Sequence, residues 1–317
     1  MWGRLNAAGP VVLEEVNLLT VKTQRIVLII SFLFIPLALH TVFFAYPLLS
    51  SFRVVLYKWS GLSWKMTYVG LNNFRQLFED PVFPLVLKHN LTLLFVAGPI
   101  VYLLALFVLF LLNLPWVNIR VRRIFISIFY FPAIISEVAV ALIWVFIYNP
   151  QFGLLNGILR TLGLGAYQRP WLGDSRLAFP AMMAIVIWGG LGGLLLYLQA
   201  GIQRIPISLY EAARIDGGSN LQIFVRVTIP LLWEIIRILI VLSVIGYLQA
   251  FGIFFVAKEV AIGIDLNTAV LGTYIYYQAF ENFNFGYATA MALVVMIIVM
   301  AATMLSRRLV AGESIEL

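Results

Sequence analysis

The residue types that carry most protein chemistry are scarce in this 317-residue chain. It contains two histidines, His40 and His89, and no cysteine, which excludes a disulfide framework and argues against a metal cluster. None of the lysines follows a glycine, so the Gly-Lys-Ser/Thr loop that cradles nucleotide phosphates is missing from the sequence. We therefore expect neither a metal ion nor a nucleotide to bind this chain through these motifs.

Glu137 is the ionisable residue that stands out, because it lies about half-way along an apolar run of residues 124–148. If this run crosses a membrane, a charge there is costly unless it faces a cavity or a partner. Two interpretations stay open: an interhelical hydrogen bond from a protonated or lysine-paired glutamate, or a carboxylate that accepts hydrogen bonds from a ligand. The run contains no histidine and no second carboxylate, so an acid–base pair of an intramembrane enzyme is not expected.

Composition indicates what positions these residues. Hydrophobic residues make up 62% of the chain and charged residues 11%, against about 25% charged in soluble proteins, and the mean hydropathy is +0.99. Apolar runs of about 20 residues match the hydrocarbon thickness of a bilayer. We predict an all-α polytopic membrane protein with six transmembrane helices, at residues 26–52, 91–112, 124–148, 177–201, 231–256 and 287–305.

The positive charges predict the orientation. Arg120, Arg122 and Arg123 form a cluster beside one span, and Arg307 and Arg308 follow the last span, which places both termini in the cytoplasm by the positive-inside rule. The predicted organisation is a cytoplasmic segment 1–25, a transmembrane domain 26–306 and a cytoplasmic tail 307–317. The net charge of +7 is spread over short loops, so we expect contact with membrane lipid and none with nucleic acid.

The stretch "YEAARIDGGSNLQIFVRVTIP", from Tyr210 to Pro230, is polar although apolar runs flank it. Ser208 and Glu211 have the spacing of a capping box, and Gly217 can end the helix that this box would start. Ser219 and Gln222 have the spacing of a second box. We predict a helix, a glycine turn and a second helix within a cytoplasmic loop of residues 204–230.

This stretch resembles the EAA loop of ABC importer permeases, the inner-membrane components of binding-protein-dependent uptake systems. "EAARIDG" is followed by Phe224 and by "IP" at the pattern's end, and "GIQRIP" precedes it. In that family the loop forms a coupling helix that docks into the cytoplasmic ATPase. The resemblance implies that the docking residues are Glu211, Ala212, Ala213, Asp216 and Gly217. The family usually has alanine where this chain has Gly218, which we expect to loosen the turn slightly.

The resemblance covers nearly the whole chain and favours the carbohydrate-uptake branch, similar to maltose and glycerol-phosphate permeases. "VGLNNFRQLFEDPVF", "FPAIISEVAVALIWVFIYNPQFGLLNGIL" and "GYATAMALVV" fit that branch, whereas "VAKEVAIGIDLNTAVL" replaces its usual Thr-x-Gly-Gly-Pro turn. By position in this resemblance, the implied substrate-path residues are Glu137, Gly190 and Tyr247, and Gln249 is included because it lies close to Tyr247. Trp188 is added because sugars often lie against aromatic rings, although packing explains it equally well.

The resemblance implies the type I ABC importer permease fold and the permease subunit of an ATP-driven importer of a carbohydrate. The implied partners are a second permease of a different sequence, two ATPase subunits and an external substrate-binding protein. The chain itself would be no enzyme and would bind no cofactor, since ATP and magnesium belong to the ATPase. The implied location is the inner membrane of a bacterium or archaeon. The alternative is a secondary transporter that uses Glu137 as a proton or cation site.

Overall fold

The computed structural model describes the backbone of residues 10–260 and 266–309, and the side chains of residues 23–259 and 267–309. This part of the chain is almost entirely helical, as predicted. The α-helices are Pro10–His40, Tyr46–Val54, Asn72–Glu79, Val82–Thr92, Gly98–Leu112, Ile119–Ile134, Glu137–Ile147, Leu154–Thr161, Ala178–Ile202, Ile207–Ile215, Asn220–Ile223, Ile229–Leu231, Trp233–Leu248, Gly252–Val260, Leu271–Tyr276 and Phe285–Leu309. Short 3₁₀ helices lie at Gly165–Tyr167 and Leu266–Thr268. A two-residue antiparallel pair, Tyr57–Lys58 with Thr67–Tyr68, forms the only strands in this part of the chain.

Five helical segments of the described chain are long and apolar enough to cross a membrane. We call them span 1 (Thr23–Val54), span 2 (Val82–Leu112), span 4 (Ala178–Ile202), span 5 (Trp233–Glu259) and span 6 (Phe285–Leu309). A sixth crossing, span 3, requires that the two helices Ile119–Ile134 and Glu137–Ile147 count together, although they meet at a bend of 101°. The segments before residue 10 and after residue 309, and residues 261–265 within the stretch "VAKEVAIGIDLNTAVL", lie outside the described residues.

The bend in span 3 corrects the prediction of one continuous helix over residues 124–148. Pro132 lacks the N–H group that a helix interior needs, and the first helix ends two residues later at Ile134. Ile135 and Ser136 are extended, and the Ser136 hydroxyl accepts a hydrogen bond from the Ala139 N–H at 3.3 Å. A serine N-cap therefore starts a new helix. Span 2 also differs, because its helix begins at Val82 rather than at residue 91.

Three prolines sit beside a local widening of their helices. The π-helical segments Thr41–Ala45, Leu93–Ala97 and Phe224–Thr228 each end two residues before a proline: Pro47, Pro99 and Pro230. A proline ring clashes with the carbonyl group four residues earlier in a regular α-helix. A π turn bonds each N–H group to the carbonyl five residues back, so these prolines bend their helices without breaking them.

The core of the molecule lies between spans 2, 4, 5 and 6. Leu93, Leu195, Leu248 and Met291 are fully or almost fully buried there. Span 1 differs from the others, because the most apolar 18-residue stretch of this helix is 0% buried within the chain. Its C-terminal part, Tyr46–Val54, contacts span 6.

Hydrogen bonds tie the loop after span 1 to the last two helical elements. The Asp80 carboxylate accepts hydrogen bonds from the Val82 N–H at 2.8 Å, from the Tyr274 hydroxyl at 2.7 Å and from the Tyr287 hydroxyl. Burial, helped by this carboxylate, raises the pKa of Tyr274 to about 12. The phenol therefore keeps its proton and remains a donor to Asp80 throughout the physiological pH range.

Candidate functional site

The polar insert between spans 4 and 5 forms a short helix, Ile207–Ile215, that starts at the fixed backbone of Pro206. The predicted capping box of Ser208 and Glu211 is wrong, because no side chain caps this helix. Ser208 already lies inside the first turn, where its hydroxyl cannot reach the free N–H groups that a box requires. Glu211 is exposed on the open side of the helix.

The end of this helix is a glycine turn, as predicted. Gly217 has a φ of +78°, a left-handed conformation that glycine adopts without steric cost. The Gly217 N–H bonds to the Arg214 carbonyl and the Gly218 N–H to the Ala213 carbonyl, both at 3.0 Å. This pair of bonds is the Schellman motif. Both bonds are formed with glycine at residue 218, and the slight loosening expected of Gly218 stays a prediction.

The second predicted capping box of the insert is confirmed. The Ser219 N–H donates to Gln222 Oε1 at 2.9 Å, and the Gln222 N–H donates to Ser219 Oγ at 3.3 Å. This box starts the helix that continues through the π segment Phe224–Thr228 into span 5. The insert is therefore joined to span 5 by nearly continuous helix, which can transmit a displacement from one to the other.

The insert is anchored on one side and open on the other. Phe224 is buried with its ring 5.2 Å from that of Phe110 in span 2, and the Tyr210 hydroxyl lies 3.3 Å from Thr228 Oγ1. On the open side, Ile215 is 87% exposed. Ile207 is also 68% exposed, but it lines a pocket on the anchored side together with Tyr210. The small residues Ala212 and Gly217 beside Ile215 leave room for another surface to approach the open side closely.

Of the five implied docking residues, four are exposed at this open side and Ala213 is half-buried. The exposed ones are Glu211, Ala212, Asp216 and Gly217. They lie on the last two turns of the short helix and on its glycine turn.

A second feature is a cavity of about 640 Å³ between spans 3, 4 and 5. Glu137, Gly190, Tyr247 and Gln249 all line it, although they are separated by up to 112 positions in the chain. Glu137 is the first residue of the second half of span 3, rather than a residue in mid-helix as the sequence suggested. The helix N-terminus there favours a negative charge.

The Glu137 carboxylate packs against the backbone of Gly252, where the second helix of span 5 begins. A Cβ atom at residue 252 would collide with this carboxylate. Among the described residues no hydrogen-bond donor or cation pairs with Glu137, and the side chain is exposed to the cavity. The geometry therefore favours the interpretation of a ligand-facing carboxylate over that of an interhelical hydrogen bond.

A family profile described as "Binding-protein-dependent transport system inner membrane component" matches residues 103–312. The match spans two thirds of the chain and includes the insert and all the cavity residues named above. The chain belongs to this family.

Relatives of this permease are similar over most of their length. The "Probable ABC transporter permease protein YurN" of Bacillus subtilis (strain 168) is 33% identical over 284 residues, which cover 88% of this chain and 95% of that protein. The "Diacetylchitobiose uptake system permease protein NgcF" of Streptomyces coelicolor is 33% identical over 300 residues, covering 91% and 84%. A solved bacterial ABC transporter "involved in the import of the acidic polysaccharide alginate" superposes with a TM-score of 0.76 at 26% identity, covering 92% of this chain and 98% of its own.

The protein is therefore an all-α, multi-pass inner-membrane permease of a binding-protein-dependent ABC importer. It is a transport subunit rather than an enzyme, since ATP hydrolysis belongs to a separate subunit in importers of this family. The family assignment gives no support to the alternative of a secondary transporter.

Trp188 does not line the cavity of the permease, which corrects its inclusion with the other four residues. Its ring packs edge-on against Trp144 of span 3, with the ring centroids 5.5 Å apart. Span 4 turns Val186, Gly189 and Gly190 toward the cavity. Because residues two apart on a helix point in nearly opposite directions, Trp188 faces the neighbouring helix instead.

Asn90 is a residue of the site that sequence reasoning missed. It is completely buried in span 2, and its side-chain amide donates to the carbonyls of Tyr247 and Leu248 at 2.8 and 3.2 Å. Its carbonyl oxygen accepts the Leu271 N–H at 2.8 Å. Asn90 thus satisfies backbone groups freed where span 5 breaks, and so it shapes the cavity wall. An amide beside a long apolar run is the signal that could have identified it.

Proposed function

We propose that this permease forms part of the translocation path for a carbohydrate and that the cavity between spans 3, 4 and 5 holds it in transit. The observation that carries the proposal is the convergence of Glu137, Gly190, Tyr247 and Gln249 on one cavity. Its volume of about 640 Å³ falls within the usual range for small-molecule sites. A carboxylate, a phenol and an amide are groups that can hydrogen-bond to sugar hydroxyls.

The names of related proteins support a carbohydrate. One relative belongs to a diacetylchitobiose uptake system and another, 31% identical, is the "Multiple sugar-binding transport system permease protein MsmF" of Streptococcus mutans. A solved structure of similar fold shows the alginate transporter with a "pentasaccharide-bound periplasmic protein". By analogy, an external binding protein delivers the substrate to the outer face of this permease.

The proposed complex contains this chain, a second permease of different sequence and two ATPase subunits. The most apolar stretch of span 1 is 0% buried within the chain, so this face is free for contact with lipid or with helices of the second permease. The insert at Ile207–Ile215 would dock into one ATPase, which holds ATP and magnesium. Both termini and the insert then lie in the cytoplasm.

Energy would reach the cavity by a mechanical route. Motion of the ATPase on nucleotide binding displaces the insert, and the nearly continuous helix from Ser219 into span 5 transmits this displacement to Tyr247, Gln249 and Gly252. These residues border the cavity at the break in span 5. Alternating access requires such a coupled movement around a site near mid-membrane.

Replacement of Glu137 by glutamine tests the proposal. We expect ATP-driven uptake of the carbohydrate into proteoliposomes to continue, with a half-saturating concentration raised about tenfold, because a charge-assisted hydrogen bond becomes a neutral one. Glu79→Gln is the control, since Glu79 forms an exposed ion pair with Arg75 at 2.8 Å in the outer loop, where such pairs contribute little. Uptake that a pH gradient drives without ATP, and that Glu137→Gln abolishes, would refute the proposal in favour of a secondary transporter.

A further inference from the structure

Six aromatic side chains form a continuous row from the cavity to the outer face of the permease. They are Phe251, Phe255, Tyr276, Phe280, Phe285 and Trp59. The successive distances between their ring centroids are 5.1, 4.8, 4.9, 5.2 and 5.4 Å. We call this row the aromatic track. Its inner end, Phe251, also lines the cavity, so the track and the candidate substrate site are continuous.

The track is accessible along its length. Phe251 is 37% exposed and Phe280 is 55% exposed, and the other four rings are half-buried. A hydrophobic core would have buried these rings more completely, because aromatic side chains contribute most when they leave water entirely. The rings instead present part of their surface outward, as a binding surface requires.

The backbone near the outer end has an unusual conformation that brings two of these rings together. Tyr277–Glu281 is a π-helical segment, and Phe283 has a φ of +50°. A positive φ is uncommon for a residue other than glycine and carries a cost in conformational energy. The sharp turn that results places the Phe285 ring 5.2 Å from that of Phe280. Strain of this kind persists where the surrounding structure holds it.

Charged groups beside the track place its outer half in a polar environment rather than in hydrocarbon. Lys258 Nζ lies 3.9 Å from Glu281 Oε2 and 3.0 Å from the centroid of the Tyr277 ring. The side chain of Glu281 is half exposed. Charged side chains avoid contact with hydrocarbon and instead face water-filled cavities, partners or the polar interface.

We infer that the aromatic track is a carbohydrate-binding path along which the substrate passes from the outer face to the cavity. The inference rests on the proposed function and extends it to a second binding surface and to a substrate with pyranose rings. The C–H groups on one face of a pyranose are apolar and carry partial positive charge, and they pack against the negative face of an aromatic ring. Neighbouring rings about one sugar unit apart allow an oligosaccharide to move stepwise without leaving the surface.

The test compares Phe280→Leu and Tyr276→Leu with Phe107→Leu in the complex purified through a tag on this chain. Leucine keeps the apolar character and removes the ring. Phe107 is a matched control, because it is 58% exposed on span 2 and lies outside the track. The complex is reconstituted with its binding protein in proteoliposomes, and the probes are maltotriose, cellotriose and chitotriose. Uptake of each probe and ATP hydrolysis stimulated by loaded binding protein are measured together.

The expected result is a fall of about tenfold in probe uptake per ATP hydrolysed for both track variants, since loss of one favourable ring contact weakens binding on that scale. Stimulated ATP hydrolysis itself should remain in both track variants. Phe107→Leu should behave as wild type. Phe280→Tyr, which keeps an aromatic ring, should take up the probes as wild type does. A merely structural role for the rings would lower hydrolysis and uptake together and leave their ratio unchanged.

Three results would overturn the inference, and each has a different meaning. An unchanged ratio of uptake to hydrolysis in both track variants means that the substrate does not use the rings. Loss of the second permease during purification of the track variants means that the rings form a subunit interface. A wild-type complex that takes up none of the probes and no other carbohydrate that its binding protein binds refutes the proposed function as well as the track, whereas the first two results leave the proposed function standing.

Discussion

At the scale of the residue, the position of Glu137 depends on two neighbours from different parts of the chain. Ser136 caps the helix that Glu137 begins, and Gly252 leaves the space into which its carboxylate fits. Ser136 can cap the helix because its hydroxyl side chain is short, and Gly252 leaves space because it has no side chain. The carboxylate is thus held at the wall of the cavity although no described side chain pairs with it.

Gly252→Ala is expected to displace the Glu137 carboxylate, because the added methyl group occupies its place. The end of an exposed glutamate can rotate away, so the complex should still fold while the half-saturating concentration for carbohydrate uptake rises about tenfold, as for Glu137→Gln. The effect of Gly252→Ala and the effect of removing the Glu137 carboxylate should not add. A double variant Gly252→Ala/Glu137→Ala should match Glu137→Ala alone in an uptake measurement, as expected for residues that act through one contact.

Gly157→Ala is the control for this prediction, because a Cβ atom at residue 157 meets nothing within 4 Å and the residue lies outside the cavity. Its uptake should equal that of wild type. Additive effects in the double variant would contradict the role of Gly252 in positioning Glu137.

At the scale of the element, the permease contains the same helix ending in two places, in the insert and in the loop between spans 3 and 4. Gly217 ends the insert helix with a φ of +78° and Gly163 ends the helix Leu154–Thr161 with a φ of +75°. Gly163 bonds to the Arg160 carbonyl at 3.1 Å, and the next N–H, of Leu164, bonds to the Leu159 carbonyl at 2.7 Å. The two turns therefore have the same backbone conformation and the same pair of hydrogen bonds. They differ in their position in the chain, since only the turn at Gly217 belongs to the insert.

Gly217→Val is expected to abolish the stimulation of ATP hydrolysis by loaded binding protein, because valine disfavours positive φ strongly and would distort the docking surface. Gly163→Val imposes the same strain, about 1–2 kcal/mol, on the turn between spans 3 and 4 and should leave stimulation at saturating binding protein intact. ATP hydrolysis by the reconstituted complexes measures both. Equal loss in the two variants would mean that the strain impairs folding and that the insert has no special part in coupling.

At the scale of the whole molecule, the proposed orientation places the insert and the outer hairpin on opposite sides of the membrane. The chain contains no cysteine, so single cysteines can be introduced without background. In intact cells a membrane-impermeant maleimide should label Leu62→Cys, which replaces a 74% exposed side chain. The maleimide should label Leu221→Cys, at a position 59% exposed in the insert, only after the cells have been permeabilised. The reverse pattern would contradict the positive-inside assignment.

Long-range polar contacts hold the spans in register. Asp80 joins the outer loop to Tyr274 and Tyr287, and Asn90 joins span 2 to the break in span 5 and to Leu271. In a membrane there is little hydrophobic drive between helices, so buried hydrogen bonds and close packing fix their relative positions. These contacts connect residues that lie more than 150 positions apart in sequence.

The sequence by itself determined the features that depend on local composition. The length of apolar runs predicted the helical membrane class, and the capping box at Ser219 and the glycine turn at Gly217 were evident because each involves residues within one helical turn. The family resemblance likewise followed from a contiguous pattern around the insert. Such features need no knowledge of what packs against them.

Only the tertiary structure decided how the cavity is built. The 101° bend of span 3 moved Glu137 from mid-helix to a helix start, and packing on Trp144 removed Trp188 from the lining. Asn90 became important through carbonyl groups that the break in span 5 exposes. In a chain that is apolar on nearly all helix faces, periodicity does not reveal which face turns inward. Contacts between spans that are distant in sequence determine which face of each helix turns inward.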